Sequence, residues 1–320
     1  MHRRDVMPVV LALAAMTVPL SALAQSYPSK PIRLLVSDSA GGLADTIARI
    51  IGNGLGEVIG QRVVIENRAG AASNIGALAA ARSAPDGYTI YQMPQTLSVN
   101  ATLYTNLQYD VFRDFLPIMR TGSSPALVVV HPSLPVKTTK ELITLARAKP
   151  GALNYSAGGG GSSQHIAAEL FNYLARVKTV RVFYKGAGPS IMGLLTGEVQ
   201  LMFAALGPIM PHVKTGKVRA LAVTSPKHSP LARDLPPIAD VLPGYANESA
   251  IGLFAPKKTP SSIIKLLNTH TQQALKALDP NLVAGNGVEV VASSPEEFAR
   301  FIKADMSKMA EVIKSGSFAN

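Results

Sequence analysis

Short apolar runs alternate with amphipathic segments along almost the whole chain. An apolar run at 32–36 leads into a loop of small residues at 37–42, which opens an amphipathic segment at 45–55, and a second apolar run follows at 62–66. Short apolar runs bounded by turn residues indicate buried strands, whereas a period of 3.6 residues indicates helices. The alternation predicts an α/β fold with mostly parallel sheets.

The unit of strand, glycine-rich loop and helix recurs in the second half of the chain, at 154–157, 158–163 and 164–174. Two such units predict two α/β lobes that face a central cleft. Residues 225–248 are rich in proline and show no period, so we expect them to cross between the lobes. Further helices are predicted at 74–82, 138–148, 190–195, 261–278 and 295–313, and further strands at 88–93, 127–130, 180–184, 199–203, 218–224 and 251–255.

Residues 1–24 have the layout of a secretory signal peptide. Arg3 and Arg4 form a basic start, residues 6–20 are mostly apolar, and Ala22 and Ala24 form a small-x-small cleavage site. The alternative is an uncleaved membrane anchor, but the apolar segment is shorter than the roughly 20 residues that a spanning helix needs. We therefore expect cleavage after Ala24.

Composition excludes several classes of site and partner. The chain has no cysteine, so it forms no disulfide, no thiolate metal site, no thiol nucleophile and no lipid-modified cysteine. An exported chain without a lipid anchor fits the periplasm of a two-membrane bacterium. The net charge is +11, and +10 without residues 1–24, which hold Arg3, Arg4 and Asp5. Because the basic residues are dispersed and tryptophan is absent, we expect no nucleic-acid partner.

The two glycine-rich loops are candidate anion sites. A loop that opens a helix leaves backbone N–H groups unpaired, and the helix dipole favours negative charge there. Asp45 and His165 lie just inside the two helices as ligand contacts or, alternatively, as a helix cap and a residue that bonds nearby backbone. The loop residues are Ser39, Ala40, Gly41 and Gly42 in the first unit and Gly161, Ser162 and Ser163 in the second.

No motif for catalysis or for a cofactor accompanies these loops. The chain lacks a G-x-S-x-G nucleophile elbow and a P-loop, and a partial dinucleotide fingerprint that begins at Gly52 fails because Glu57 takes its last position. The histidines have no spacing that suits zinc. We therefore expect no enzyme activity, no catalytic residue, no cofactor and no metal site.

Several short motifs, in order and across residues 27–316, resemble the Bug family, the substrate-binding proteins of tripartite tricarboxylate transporters. They include Gly41-Gly42-x-x-Asp45, Glu66-Asn67-Arg68, Pro85-Asp86-Gly87-Tyr88-Thr89, His165-x-Ala167-x-Glu169-Leu170-Phe171, Tyr184-Lys185-Gly186 and Pro295-Glu296-Glu297-Phe298. The resemblance implies a type II periplasmic binding protein in which two lobes, joined by two crossings, close around a small carboxylate. It also implies a membrane permease of the same transporter class as the partner, and we expect a monomer.

The resemblance adds site residues and lobe boundaries. Positions that match the family's binding role are the two loops above and the turn formed by Ala69, Gly70, Ala71 and Ala72. We expect one lobe at 25–125 plus 250–320 and the other at 126–249, with the return crossing somewhere within 225–250.

The chain also departs from the family pattern. Ser39-Ala40 replace two prolines, Ala69 replaces a proline, and Gly193 and Ala204 stand where acidic residues are common. We expect some of these positions to line the cleft, and the lack of acidic residues at Gly193 and Ala204 favours a simple organic or aromatic carboxylate over an amino acid. The alternative function is that of a sensor that docks on a signalling protein rather than on a permease; an enzyme or a surface adhesin fits less well.

Overall fold

The computed structural model describes residues 27–94, 96–104, 106–158 and 161–314. The predicted signal peptide lies outside the described residues, and its cleavage stays a prediction. None of the helices within the described ranges is both long and apolar enough to span a bilayer.

The opening unit folds as three parallel strands with helices between them. Strand β1 lies in the middle and pairs with β2 on one side and β3 on the other, both in parallel register. The two-residue alternation of β1 buries Ile32 and Leu34, and the apolar stripe of α1 packs on this face through Ile47, Ile51 and Leu55. The elements are β1 (Ile32–Val36), α1 (Leu43–Ile59), β2 (Val63–Asn67), α2 (Asn74–Ala81) and β3 (Thr89–Met93).

The next segment differs from the prediction of a short strand at 127–130. The elements are α3 (Thr96–Leu103), α4 (Val111–Asp114) and β4 (Phe115–Val130). Strand β4 has 16 residues, because register shifts between Pro117 and Met119 and between Arg120 and Gly122 let it continue through prolines and glycines that interrupt its apolar pattern. Because of these interruptions, the sequence predicted only the last quarter of the strand.

The second lobe repeats the parallel arrangement. Strand β5 pairs in parallel with β6 and β7, and β4 closes this sheet by antiparallel pairing with β7 and β8. Helix α8, which begins directly after β7, was not predicted. The elements are α5 (Thr139–Ala148), β5 (Asn154–Ala157), α6 (Ser163–Ala175), β6 (Val180–Phe183), α7 (Ala187–Leu195), β7 (Leu201–Ala205), α8 (Leu206–Lys214) and β8 (Arg219–Val223).

The chain then returns to the first sheet. Strand β9 pairs antiparallel with β3 and with the first part of β4, which gives the strand order β2-β1-β3-β9-β4-β7-β5-β6. The remaining elements are β9 (Glu248–Pro256), α9 (Ser261–Ala277), α10 (Pro280–Ala284), β10 (Glu289–Val290) and α11 (Pro295–Val312). The predicted α/β class is confirmed: parallel strands form the outer parts of both lobes, and the antiparallel strands β4 and β9 join them.

Two crossings lie side by side between the lobes. Strand β4 pairs with β9 up to Pro125 and with β7 from Ala126 onward. The N–H of Ala126 donates to Thr224 Oγ1 at 2.7 Å, and the N–H of Asn247 donates to the Thr224 carbonyl at 2.9 Å. The ladders therefore change partner near 125 and 247, although the assignment of 126–249 as an independent lobe stays a prediction.

Helix α11 packs on both lobes rather than on the first alone. Phe298 and Ile302 join the core that contains Phe254, whereas Met309 and Val312 join the core of the second lobe. A helix of 18 residues is about 27 Å long, which is enough to cross from one core to the other. The C-terminal helix is thus a third connection between the lobes.

Candidate functional site

A cavity of about 190 Å³ lies between the lobes. The first lobe contributes Asp38, Leu43 and Gln92, the crossing strands contribute Ser124 and Ser249, and the second lobe contributes Ser163. Leu43 and Ser163 are the first residues of α1 and α6, so two helix N-termini lie at one cavity. In α/β proteins the carboxyl ends of parallel strands and the helix starts that follow them are where ligands bind.

The first loop, 39–42, uses its N–H groups internally. The N–H of Ser39 donates to Asp38 Oδ1 at 2.8 Å, that of Gly41 to Asp45 Oδ2 at 2.9 Å, and that of Gly42 to the Ser39 carbonyl at 3.0 Å. The expectation of free donors at these three residues is therefore wrong. Ala40 is exposed at the tip of the loop.

Asp45 is part of the support for this loop. Its side chain is 2 % exposed and accepts hydrogen bonds from Gly41, from Asn67 Nδ2 at 3.0 Å and from the Arg49 guanidinium, which also pairs with it at 2.9 Å. The hydrogen bonds from Arg49 contribute most to a pKa of about 2 for Asp45. Both carboxylate oxygens already accept hydrogen bonds from the protein. The geometry therefore favours a structural role for Asp45 at the helix start over contact with a ligand.

The turn at 69–72 lies elsewhere. Ala69, Gly70, Ala71 and Ala72 are exposed, and the last two line a separate surface cavity of about 580 Å³ together with Ile75 and Tyr104. Ala71 and Ala72 have φ of 47° and 50°, a left-handed conformation that disfavours side chains with a Cβ. The structure does not bring this turn to the lining of the interlobe cavity, and its role in binding stays a prediction.

The second loop is held from behind by His165. The N–H of Gly161 donates to His165 Nδ1 at 3.2 Å, so the expectation of a free donor at Gly161 is also wrong. Ser162 caps α6 by accepting from the N–H of His165 at 3.3 Å. Ser163 is exposed and lines the cavity, and it is the one predicted loop residue that does so.

His165 belongs to a buried polar cluster inside the second lobe. Arg181 Nη1 lies 3.2 Å from His165 Nδ1, and Glu169 accepts a hydrogen bond from the buried Tyr155 hydroxyl at 2.5 Å. Burial and then the Arg181 guanidinium lower the pKa of His165 to about 4, so the ring is neutral at pH 7. Burial raises the pKa of Glu169. His165 therefore supports the loop, as the structural alternative proposed.

The sequence reading missed several residues near the site. Asp38 lies just after the end of β1, and Gln92 lies at the carboxyl end of β3. The carboxyl ends of adjacent parallel strands meet at one edge of a sheet. This rule could have predicted from the sequence that both residues lie near the site. Arg181 comes from β6 and had no local signal, because only the folded sheet brings it to His165.

Two positions that were expected to bear on ligand choice do not line the cavity. A Cβ at Gly193 would lie 2.2 Å from the Tyr184 hydroxyl oxygen, so this residue packs against Tyr184. Ala204 is fully buried in the core with Met202. The argument that these residues favour a simple carboxylate over an amino acid is therefore not supported. Within the described ranges, histidine and acidic side chains form no cluster of three or more that suits a metal ion.

Comparison with known proteins identifies the family to which the chain belongs. The model of the tripartite tricarboxylate transporter family receptor matches residues 47–317. BugT of Bordetella pertussis is 32 % identical over 313 residues, which cover 97 % of this chain and 95 % of BugT. Among solved structures, that of Rpa4515 of R. palustris with adipate is 34 % identical, with a TM-score of 0.76, and the match covers 90 % of this chain and 97 % of that one.

A further structure, MatC of Rhodopseudomonas palustris with bound malate, is 28 % identical. Its TM-score is 0.75, and the match covers 90 % of this chain and all of that one. The resemblance to the Bug family is thus confirmed over nearly the whole chain. The chain belongs to the tripartite tricarboxylate transporter family of receptors, which are periplasmic solute-binding proteins.

Proposed function

We propose that the protein captures a small organic carboxylate in the interlobe cavity and delivers it to a permease of the tripartite tricarboxylate type. The observation that carries the proposal is the start of α6, which presents Ser163 to a cavity between two lobes. The similar proteins Rpa4515 and MatC hold adipate and malate, both of which are carboxylates.

The carboxylate binds at the N-terminus of α6. The first N–H groups of a helix have no intrahelical acceptor, and the helix dipole adds positive potential there. Ser162 already satisfies the N–H of His165, which leaves the N–H of Ser163 at the cavity. Arg181 adds a positive charge beside His165. Of the two glycine-rich loops that were candidate anion sites, the proposed site thus uses only the second.

A pair of substitutions at Ser163 tests this site. Ser163→Pro removes the N–H, and proline fits the first position of a helix without breaking it. Ser162 has φ of −62° and ψ of 154°, which is compatible with a following proline. Ser163→Ala keeps the N–H and removes only the hydroxyl.

We expect Ser163→Pro to weaken carboxylate binding by about 10- to 100-fold, since a hydrogen bond to a charged group contributes about 1.5–3 kcal/mol. Ser163→Ala should change affinity by a few fold at most. Calorimetry with a panel of mono-, di- and tricarboxylates provides the measurement. Equal affinity of the wild type and of a folded Ser163→Pro variant for every bound carboxylate would remove this site from the proposal.

Delivery and export have separate tests. Loss of uptake of the bound carboxylate when either the receptor or the permease is deleted supports transport, whereas uptake that survives both deletions favours the sensory alternative. For export, the mass of the protein recovered from the periplasm should correspond to a chain that begins at Gln25. A chain that still begins at Met1 would contradict cleavage after Ala24.

A further inference from the structure

The strand order of the sheet ends with β2 in the first lobe and with β6 in the second. An outer strand leaves backbone N–H and carbonyl groups on its open side, where another strand can pair with it. On β2, the carboxylate of Glu66 pairs with Arg33 at 3.2 Å and with Arg68 at 2.5 Å. The outer strand of the first lobe therefore carries charges of both signs.

The outer strand of the second lobe lies in a basic segment. Residues 170–197 include four basic residues and no acidic residue. Three of the basic residues, Arg176, Lys178 and Lys185, are exposed and form no ion pair within the described ranges. The edge formed by β6 thus has a positive charge that the segment itself does not balance.

The backbone of β6 is open on one side. The N–H groups of Val180 and Tyr184 donate to the carbonyls of Leu153 and Ala157, at 2.8 and 3.0 Å, on the side that pairs with β5. Because successive residues of a strand direct their backbone groups to opposite sides, the N–H and carbonyl of Phe183 face the open side. No strand of the described part of the chain pairs there. The Phe183 side chain is 57 % exposed, so a strand added here would also gain apolar contact.

The charge and the open ladder together select the occupant of this edge. A second copy of this chain does not fit, because pairing of β6 with itself would place like charges side by side. An anionic lipid surface would match the charge, but it has no backbone groups that could pair with Phe183. An acidic extended segment of another protein matches both the charge and the ladder.

The edge is also connected to the proposed binding site. Phe183 pairs in register with Ala157, the last residue of β5. Arg181, which also belongs to β6, lies 3.2 Å from His165, and His165 accepts the N–H of Gly161 in the loop before α6. A partner at this edge would therefore contact the lobe whose helix start holds the carboxylate in the proposed function.

We propose that β6 is the docking edge for the permease, which adds an acidic extended segment to the sheet beside Phe183 and between Lys178 and Lys185. This inference rests on the proposed function and names the surface through which delivery occurs. Because β6 has only 4 residues, the added ladder is short. A small interface of this kind suits a contact that forms and breaks in each transport cycle.

A charge reversal tests the electrostatic part of the inference. Proteoliposomes contain the permease whose deletion abolishes uptake, and the uptake rate is measured against the concentration of loaded receptor. Lys178→Glu should raise the half-saturating receptor concentration by about 10-fold, since complementary charges accelerate association. Arg62→Glu is the matched control, because it reverses an exposed charge beside β2 and changes the net charge equally. It should behave as the wild type.

Phe183→Pro tests the ladder. Proline removes the outward N–H and is tolerated in an outer strand, whereas Phe183→Val keeps the N–H and an apolar side chain. The proline variant should need about 2- to 10-fold more receptor than the valine variant for half-saturation. Calorimetry should show wild-type carboxylate affinity in all these variants, which demonstrates that they are folded. If the proline variant does not fold, the comparison of Lys178→Glu with Arg62→Glu still decides.

The outcomes separate this inference from the proposed function. Equal half-saturating concentrations for Lys178→Glu and Arg62→Glu would overturn the docking edge and leave delivery intact. Binding of the wild type to protein-free vesicles of phosphatidylethanolamine and phosphatidylglycerol, if lost in Lys178→Glu, would assign the edge to a lipid surface and also overturn the inference. A wild-type receptor that binds a carboxylate but supports no uptake would remove delivery, and the docking edge with it.

Discussion

The two lobes use the same local design, a strand followed by a small-residue loop and a helix, but they treat the helix start differently. At α1, Asp38 rests on the N-cap and Asp45 in the first turn accepts the Gly41 N–H. At α6 the first turn contains no acidic residue, and Ser162 supplies the cap. The protein's own carboxylates thus occupy the first helix start, whereas no acidic residue lies in the first turn of the second.

This comparison shows that a glycine-rich loop before a helix does not by itself make an anion site. The dipole and the unpaired N–H groups are present at every helix N-terminus, and nearby aspartates compete for them. What distinguishes the loops is the side chain that supports each one, Asp45 in the first and the neutral His165 in the second.

The largest expected effect concerns the support of the first loop. Asp45→Ala removes the acceptor of Gly41, Asn67 and Arg49 at once, and leaves partly buried donors unpaired. We expect a loss of about 3 kcal/mol in the free energy of unfolding. Urea denaturation followed by circular dichroism measures it. A loss under about 1 kcal/mol would mean that the loop does not depend on this carboxylate.

The second loop should be the more sensitive to mild acid. The pKa of His165 is about 4 in the folded protein and near 6.5 when unfolded, so the unfolded chain binds more protons between these values. Stability from this group is complete above pH 6.5 and is lost as the pH falls towards 4, by about 3 kcal/mol. For Asp45 the corresponding loss lies lower, between pH 3.8 and about 2.

His165→Asn tests this difference, because an asparagine oxygen replaces Nδ1 as an acceptor without titrating. The charged and titratable neighbours, Arg181, Glu169 and Tyr155, remain in place, and the raised pKa of Glu169 acts in the opposite direction in both proteins. The difference between the wild type and His165→Asn in unfolding free energy should therefore shrink as the pH falls from 6.5 to 4. A difference that is constant with pH would contradict the assignment.

The cap of α6 should have a smaller effect. Ser162→Ala removes the acceptor of the His165 N–H and is expected to lower the free energy of unfolding by about 1 kcal/mol. Ser294→Ala at α11 is a control, since that residue caps its helix by accepting the Glu297 N–H and does not line the cavity. Ser294→Ala should leave the carboxylate affinity unchanged. A loss of affinity that is larger in Ser294→Ala than in Ser162→Ala would refute the placement of the ligand.

The smallest expected effect is at the start of α1. Leu43→Pro removes an N–H at the first position of that helix, and Gly42 has φ of −71° and ψ of 166°, which permits a following proline. Because Asp38 already lies at this helix start, carboxylate affinity should change by less than about threefold relative to Leu43→Ala. A loss as large as that of Ser163→Pro would mean that both helix starts bind the carboxylate.

Much of the fold follows from the sequence alone. The strands at β1, β3 and β5 and the helices α5, α9 and α11 lie within a few residues of their predicted bounds, because each has a strong apolar period. Strand β4 was recognised only at its end, since Pro117, Gly122 and Pro125 break the pattern that defines a strand and only pairing with β9 sustains it. Helix α8 was missed because it follows β7 without a turn.

The candidate site likewise combines features that local sequence predicts with features that only the tertiary structure decides. Local sequence predicted the two helix starts and offered the structural alternatives for Asp45 and His165, since Gly41 and Gly161 lie four residues before them. The cap at Ser162 is equally local, but this residue was expected to bind the ligand. Only the tertiary structure decided that Asp38 and Gln92 share a cavity with Ser163, and that Arg181 supports His165. Hydrogen bonds within a turn are fixed by spacing along the chain, whereas a cavity between lobes depends on packing between segments more than a hundred residues apart.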